Sequence, residues 1–222
     1  MTETSLGRIV ALVPVRSLTG GKSRLGEPLD AEERADLIRA LLRRTVREAR
    51  ASTTVADVLV VSMDGDLLAE ARGLGAAHLL QAADGLNEGL EEARRAAGAA
   101  GAAGAAGADA VLVLPVDLPG ISASAIDALT EAAETARRDA PAKPVVVLVP
   151  DRHGTGTNAL LVAPAPAIPF RFGEGSRAAH AAAARAAGAS YVEVDGALSF
   201  DLDTPEDLLE ADRRGFDHEA GR

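Results

Sequence analysis

The chain has 222 residues and no cysteine, so disulfides, thiolate zinc sites and cysteine nucleophiles are excluded. Its length suits one compact core, and we predict a single domain over residues 1–222. The formal net charge of −10 argues against a nucleic-acid partner, because binding to a phosphate backbone needs a basic face. The sequence shows neither a secretory signal over residues 1–8 nor an apolar run of about 20 residues, which predicts a cytoplasmic protein that does not span a membrane.

Short apolar runs alternate with helical patterns in the first half of the chain. The spacing of the apolar residues predicts strands at 8–15, 58–62 and 77–80, and helices at about 31–50, 65–72 and 87–97. Asp30 and Glu33 come close to a capping-box pattern at the start of the long helix. An Ala-Ala-Gly repeat then extends to Gly107, and we interpret it as an expansion between a helix and the next strand.

The second half of the chain continues this alternation. A run at 111–116 is apolar on both faces, which predicts a buried strand of a parallel sheet ending at Asp117 between two prolines. Ser122 and Thr204 are predicted helix N-caps. The other predicted elements are helices at 122–138, 176–187 and from 205, and strands at 145–149, 159–162 and 191–194. Together they predict a three-layer α/β fold with a mostly parallel central sheet.

Three carboxylates are predicted to meet at one edge of this sheet. Ligands of open α/β sheets bind at the carboxyl ends of the strands, where Asp117 follows the central strand. Asp201 and Asp203 stand two residues apart, so on an extended segment both side chains point the same way. Carboxylate oxygens suit Mg²⁺, which usually binds together with phosphates. Alternatively, Asp117 caps a turn, and Asp203 and Asp207 assist the helix N-terminus at Thr204.

A basic, glycine-rich loop follows the first predicted strand and is a candidate site for nucleotide phosphates. The free backbone N–H groups and cationic side chains of such a loop bind phosphate oxygens. The loop is not a P-loop, because Arg16 occupies the position where G-x-x-x-x-G-K-[ST] needs glycine. An ordinary solvated loop is the alternative interpretation. The candidate nucleotide-binding residues are Arg16, Gly20, Gly21, Lys22 and Arg24.

Two further polar loops are candidates for binding a second anionic ligand. Residues 154–158 combine glycines with threonines, of which Thr157 lies next to an apolar run. Arg171, Gly173 and Ser176 precede or begin a predicted helix, whose N-terminal N–H groups and dipole attract anions. The plainer alternatives are an ordinary turn at the first loop and an N-cap at Ser176.

Asn87 and His180 each allow more than one interpretation. Asn87 follows a turn, so it either caps the next helix or binds the edge of a nucleotide base. His180 lies on an alanine-rich helix, where a surface or packing role is simplest. None of the four histidines has a recognisable metal spacing or forms part of a catalytic-triad pattern.

A set of motifs occurs in a specific order along nearly the whole chain. The motifs are Pro14-Val-Arg16 with Lys22-Ser-Arg24-Leu25, Gly85-Leu-Asn87, Pro115-Val-Asp117-Leu-Pro119, Asp151 to Asn158, Arg171-Phe-Gly173 with Ser176, and Asp201-Leu-Asp203-Thr-Pro205. In this order they resemble the 2-phospho-L-lactate / phosphoenolpyruvate guanylyltransferases of coenzyme F420 biosynthesis, the CofC/FbiD family.

This resemblance implies both a fold and a reaction. The fold would be the Rossmann-like nucleotidyltransferase fold of the molybdenum-cofactor (molybdopterin) guanylyltransferases. The enzyme would transfer GMP from GTP to phosphoenolpyruvate or 2-phospho-L-lactate, release pyrophosphate and hand its product to the next enzyme of the F420 pathway. Such a transfer needs positioning, a metal and cationic groups rather than covalent chemistry from the protein.

The resemblance also implies roles for individual residues. Asp117, which would take part in catalysis, would bind Mg²⁺ together with Asp201 and Asp203. Lys22 and Arg24 would face the GTP phosphates as catalytic groups, and Arg16 departs from the lysine that many relatives carry, keeping the charge but not its geometry. The residues implied to bind the acceptor are Thr157, Gly173 and Ser176, with phosphoenolpyruvate as the acceptor in the bacterial branch.

Other functions are compatible with the same motifs. A guanylyltransferase acting on 3-phosphoglycerate would share the fold, and its acceptor differs from phosphoenolpyruvate by only a few atoms. Another cofactor or sugar nucleotidyltransferase would also share the fold, and the short cationic stretch at 154–176 favours a small acid over those larger acceptors. A non-catalytic GTP-binding module would bind GTP without turnover and without dependence on Asp201 or Asp203.

Overall fold

A computed structural model describes residues 5–16, 29–99 and 107–216. These residues form a seven-stranded sheet in the order β3-β2-β1-β4-β6-β5-β7. Strand β6 is antiparallel to both of its neighbours, and all other adjacent pairs are parallel, so the mostly parallel α/β sheet is confirmed. The strands are β1 (Ile9–Pro14), β2 (Val55–Ser62), β3 (Ala77–Leu80), β4 (Ala110–Val113), β5 (Val145–Pro150), β6 (Thr157–Ala163) and β7 (Ser190–Glu193).

Six α-helices of the described residues connect these strands. They begin where the sequence predicts, and Asp30, Ser122 and Thr204 are confirmed as N-caps whose side chains accept backbone N–H groups of the first turn. The helices are α1 (Ala31–Ala51), α2 (Gly65–Gly73), α3 (Leu86–Gly98), α4 (Ala123–Asp139), α5 (Ser176–Ala186) and α6 (Pro205–Arg213). A short 3-10 helix, Ala197–Ser199, precedes α6.

The core consists of two apolar layers, one on each face of the sheet. Alternate residues of β1 point to opposite faces, so Ala11 and Val13 join one cluster while Val10 and Leu12 join the other. Helices α1, α2, α4 and α6 pack on the first cluster, and α3 and α5 pack on the second. This arrangement confirms the predicted three-layer fold.

Among the strand boundaries that differ from the sequence prediction, two concern the site. Strand β4 ends at Val113 rather than residue 116, because Pro115 has no N–H to continue the ladder after Leu114 donates to Leu12 O at 2.9 Å. Asp117 therefore lies in a turn beyond the strand and not at its last residue. Strand β6 begins earlier than predicted, at Thr157, because this residue pairs with Pro150 of β5.

The reversed direction of β6 decides which chain segments share an edge of the sheet. The carboxyl ends of β1, β2, β4 and β5 lie at one edge, and the amino end of the antiparallel β6 lies there too. Thr157 is thereby placed at the same edge as the turn that carries Asp117. In the described stretches, no helix is both long and apolar enough to cross a bilayer.

Candidate functional site

A cavity of about 470 Å³ opens over the carboxyl ends of β1 and β2. Its walls are largely apolar, with Ile38 and Leu41 of α1 on one side and Met63 at the end of β2. Arg16 and Asp117 supply charged groups to the same lining. A concave, mostly apolar pocket with a few polar groups is typical of a small-molecule site, and its position matches the ligand edge of α/β sheets.

The second predicted acidic segment lies against the Asp117 turn. The N–H of Leu202 donates to Asp117 O at 2.9 Å, which fixes residues 201–203 beside the turn. Burial raises the pKa of Asp201, and the charges of Asp117 and Asp203 raise it further. The three predicted metal ligands therefore share one electrostatic environment. Within the described ranges, no three acidic or histidine side chains are already close enough to form a completed metal site.

Asn158 contacts Asp201 from the side of β6. Asn158 is buried, and its Nδ2 donates to Leu198 O at 3.0 Å and reaches Asp201 Oδ1 at 3.5 Å. The sequence analysis considered Asn158 only as part of the polar loop 154–158. Its contact with the acidic segment was not predicted. A buried amide that satisfies one carbonyl and one carboxylate limits the positions that the Asp201 side chain can adopt.

Asp207 supports the other end of the acidic segment. Its Oδ2 accepts the N–H groups of Asp203 and Thr204 at 3.0 and 2.8 Å, and its Oδ1 forms an ion pair with Arg152. Burial on its own would raise the pKa of Asp207, but Arg152 and the two N–H groups outweigh it and lower the pKa to about 2. The predicted capping role of Asp207 is confirmed, whereas Arg152 was not foreseen.

Two of the four predicted acceptor residues, Thr157 and Arg171, contact His180, and the other two contact each other at the start of α5. Thr157 Oγ1 lies 3.0 Å from His180 Nδ1, and the N–H of Arg171 donates to His180 Nε2 at 2.9 Å. Gly173 O accepts the N–H of Ser176 at 3.1 Å. Threonine, glycine and serine of two separate loops are thus brought together beside the N-terminus of α5.

Ser176 does not cap α5, so that alternative interpretation is wrong. The N-cap is Gly175, in the left-handed conformation at φ 68°, and Ser176 is the first helical residue. The N-cap makes no side-chain hydrogen bond to the helix, and the side chain of Ser176 is almost completely buried. In place of a capping side chain, Gly173 O accepts the N–H of Ser176 and Thr155 O accepts the N–H of Arg177, so the two polar loops are fixed at the start of α5.

His180 is the main residue of the site that the sequence interpretation undervalued. It is fully buried, and burial together with the charge of Arg171 lowers its pKa to about 4. The available signal was its spacing, because a residue four positions after Ser176 lies on the same face of a helix.

Asn87 links the cavity to the acceptor loop. Its Nδ2 donates to Phe172 O at 3.0 Å and its Oδ1 accepts the N–H of Phe172 at 2.8 Å. The capping alternative is wrong, since Gly85 is the N-cap of α3. Gly85 and Leu86 line the cavity, so Asn87 ties its wall to the segment between Arg171 and Gly173.

Residues 9–220 match the family model described as "Guanylyl transferase CofC like". The chain belongs to this family. It is 44% identical over 208 residues to the phosphoenolpyruvate guanylyltransferase of Rubrobacter xylanophilus, which covers 93% of this chain and 95% of that protein. The phosphoenolpyruvate guanylyltransferase of Sphaerobacter thermophilus is 42% identical over 203 residues, covering 90% and 91% of the two chains.

Solved structures similar to this CofC-like chain support the fold. A putative nucleotide-diphospho-sugar transferase from Desulfovibrio desulfuricans has a TM-score of 0.68 at 17% identity, covering 92% of this chain and 85% of that one. A nucleotidyl transferase from Methanothermobacter thermautotrophicus has a TM-score of 0.61 at 17% identity, covering 95% and 98%. Together with the observed sheet, these similarities confirm the Rossmann-like nucleotidyltransferase fold.

The described part of this CofC-like chain contains most of the predicted site. Arg16, Asn87, Asp117, Thr157, Arg171, Gly173, Ser176, Asp201 and Asp203 are described, and Arg16 and Arg171 are exposed at the site. The remaining predicted nucleotide-binding residues lie outside the described residues, namely Gly20, Gly21, Lys22 and Arg24.

Proposed function

We propose that this CofC-like chain transfers the guanylyl group of GTP to phosphoenolpyruvate and releases pyrophosphate. The observation that carries the proposal is the meeting of three features at one edge of the sheet: a nucleotide-sized cavity, three coupled carboxylates and a polar acceptor site. Family membership and the names of relatives at 44% and 42% identity support the choice of GTP and phosphoenolpyruvate.

The cavity over β1 and β2 is the proposed site of the guanosine part of GTP. Its apolar lining suits a purine base, and Gly85 at the start of α3 brings main-chain groups to the same wall. Arg16 lies in the lining, where its guanidinium can bind the phosphates. Lys22 and Arg24 are proposed to bind the same phosphates from the adjoining loop.

Asp117, Asp201 and Asp203 are the proposed ligands of Mg²⁺. The supporting observation is the raised pKa of Asp201, because mutual repulsion between carboxylates is relieved by a divalent cation. Their oxygen donors are the type that Mg²⁺ prefers. When bound, Mg²⁺ would neutralise charge on the phosphates of GTP as pyrophosphate leaves.

The acceptor is proposed to lie between Thr157, Gly173, Ser176 and Arg171. One of its phosphate oxygens attacks the α-phosphorus of GTP, a P–O bond to the acceptor forms, and the bond to the β-phosphate oxygen breaks. That phosphate is already ionised at neutral pH, so the protein need not remove a proton. Holding the two phosphates in line, beside cationic groups, accounts for the rate enhancement.

An assay of pyrophosphate release tests the proposed reaction. The purified chain is incubated with GTP and Mg²⁺ plus phosphoenolpyruvate, 2-phospho-L-lactate or 3-phosphoglycerate, with and without the next enzyme of the F420 pathway. We expect the largest kcat/KM with phosphoenolpyruvate, and a higher rate with the next enzyme present would support hand-over. Absence of pyrophosphate with every acid would refute the proposal, and GTP binding without turnover would support a non-catalytic module.

A further inference from the structure

His180 lies beneath the acceptor site and contacts both loops that form it. Its imidazole is fully buried, and the ring of Phe172 packs against it edge-on with centroids 5.0 Å apart. One ring nitrogen faces Thr157 at the start of β6 and the other faces the N–H of Arg171. Both ring nitrogens therefore have a hydrogen-bond partner. The donor or acceptor role of each partner determines which nitrogen carries the proton.

The hydrogen bonds of His180 select a single neutral tautomer. Nε2 accepts the N–H of Arg171 at 2.9 Å, so this nitrogen carries no proton. With its pKa lowered to about 4 by burial, the ring is neutral near pH 7. Nδ1 must then carry the hydrogen and Nε2 the lone pair.

This tautomer fixes the role of the Thr157 hydroxyl. Because Nδ1 is a donor, Thr157 Oγ1 accepts from it at 3.0 Å and cannot donate its own proton back. In the part of the chain that the structure describes, Thr157 Oγ1 has no other hydrogen-bond partner. The residue as a whole is 9% exposed. A hydroxyl held in this way presents its proton to an incoming acceptor oxygen.

We infer that His180 is a positioning residue that orients the Thr157 hydroxyl as a hydrogen-bond donor to an anionic oxygen of the acceptor. The inference rests on the proposed function and adds to it a residue that does not touch the substrate. The same ring anchors the backbone of Arg171, so the polar contacts of both acceptor loops converge on one side chain. Because the ring is neutral, it acts by orientation and not by charge.

Steady-state kinetics with two substrates test this role. Thr157→Val removes the hydroxyl while keeping the shape of the side chain, and His180→Ala removes the ring. We expect each variant to raise the KM for phosphoenolpyruvate about tenfold or more, with the KM for GTP within about twofold of wild type, since a hydrogen bond to a charged group is lost. The double variant should lose less than the two single effects added together, because His180 acts in part through that hydroxyl.

His180→Asn and His180→Gln separate the two hydrogen bonds of the ring. The amide of asparagine matches Nδ1 and can still donate to Thr157, whereas the carbonyl of glutamine matches Nε2 and can still accept from Arg171. We expect His180→Asn to recover more of the acceptor affinity than His180→Gln. These two variants also keep the test usable if His180→Ala does not fold.

The outcomes distinguish this inference from the proposed function. Wild-type turnover establishes the reaction, and its absence overturns the proposed function before any variant is made. With an active wild type, equal rises in both KM values, additive effects in the double variant, or better recovery by His180→Gln would each overturn the role of His180.

Discussion

Asp117 is the residue on which the proposed metal site depends. Its carboxylate adds to the repulsion that raises the pKa of Asp201. Carboxylates that repel one another lower the stability of the fold, and packing gives no reason to bring them together. Their presence beside a cavity therefore indicates a functional site. The two consequences of its charge, for turnover and for folding, have opposite signs.

Asp117→Asn should separate these consequences. We expect kcat to fall by about a hundredfold or more, because a negatively charged metal ligand is lost, while the midpoint of thermal unfolding without metal stays level or rises. Pyrophosphate release and thermal unfolding measure the two effects. Glu131→Gln, an exposed position on α4, is the control and should leave both unchanged. Full activity of Asp117→Asn would mean that the assigned metal ligands are wrong.

The lowered pKa of His180 predicts a pH dependence of stability. The folded state holds the ring neutral down to about pH 4, whereas the unfolded chain binds a proton below about 6.5. Stability is therefore retained above 6.5 and lost as the pH falls from there toward 4. Between pH 7.5 and pH 5 this group should cost about 2 kcal/mol of unfolding free energy.

Urea unfolding at pH 7.5 and pH 5 measures that loss. The comparison is between wild type and His180→Asn, because other groups also titrate in this range and cancel in the difference. The variant should lose about 2 kcal/mol less than wild type over the interval. An identical loss in both proteins would show that His180 is not held neutral in the folded state.

At the scale of elements, α6 holds the acidic segment in place. Thr204 caps the helix, Asp207 accepts the N–H of Asp203, and Arg152 reaches Asp207 from the turn after β5. The side chain of Asp207 is only 4% exposed, so its charge depends on these partners. The cap, the ion pair and the segment that carries the proposed metal ligands Asp201 and Asp203 thus form one unit.

Arg152→Met should weaken this unit. We expect a loss of about 2 kcal/mol of unfolding free energy, because a buried carboxylate loses its cation while keeping its N–H donors. The value of kcat should also fall, since the backbone of Asp203 is anchored through Asp207. Urea unfolding and pyrophosphate release measure the two effects, with the exposed Arg138→Met as control. A stability loss with unchanged kcat would limit Arg152 to a structural role.

The elements were largely predictable, but their ends and contacts were not. Capping residues such as Asp30 made the helix starts predictable, because a cap bonds backbone N–H groups only two or three residues further along the chain. The end of β4 was predicted too late in the sequence. An apolar run has the same sequence pattern whether or not its last residues form hydrogen bonds with the neighbouring strand. The contacts of His180 with Thr157 and of Arg152 with Asp207 were not predicted, because these partners lie 23 and 55 residues away in the sequence.

At the scale of the whole molecule, the direction of β6 was beyond sequence reasoning. A buried strand is apolar on both faces whether it runs parallel or antiparallel, so the alternation of strands and helices could not reveal the reversal. The predicted carboxylates Asp117 and Asp201 nevertheless came together, because the turn after β4 and the segment before α6 meet at the same edge.

Nucleotide binding should stabilise the whole fold. At about one hundred times its dissociation constant, GTP adds about 2.7 kcal/mol to the free energy of unfolding, which for a chain of this size raises the melting temperature by about 5–10 °C. Thermal unfolding with GTP and Mg²⁺ measures the shift. ATP at the same concentration is the control and should produce a smaller one. Equal shifts with both nucleotides would argue against selection of guanine.

Because β6 runs antiparallel to its neighbours, its first residue, Thr157, lies at the same sheet edge as the cavity. The residues proposed to recognise the two substrates nevertheless lie in separate parts of the sequence. The cavity is lined by residues no later than Asp117, whereas Thr157, Arg171, Gly173 and Ser176 all come after β5. The two parts share a sheet edge but no stretch of sequence. Exchange of residues 151–177 between relatives should therefore change the preferred acid more than it changes guanine selection, with the contact between Asn87 and Phe172 as the link between the two parts.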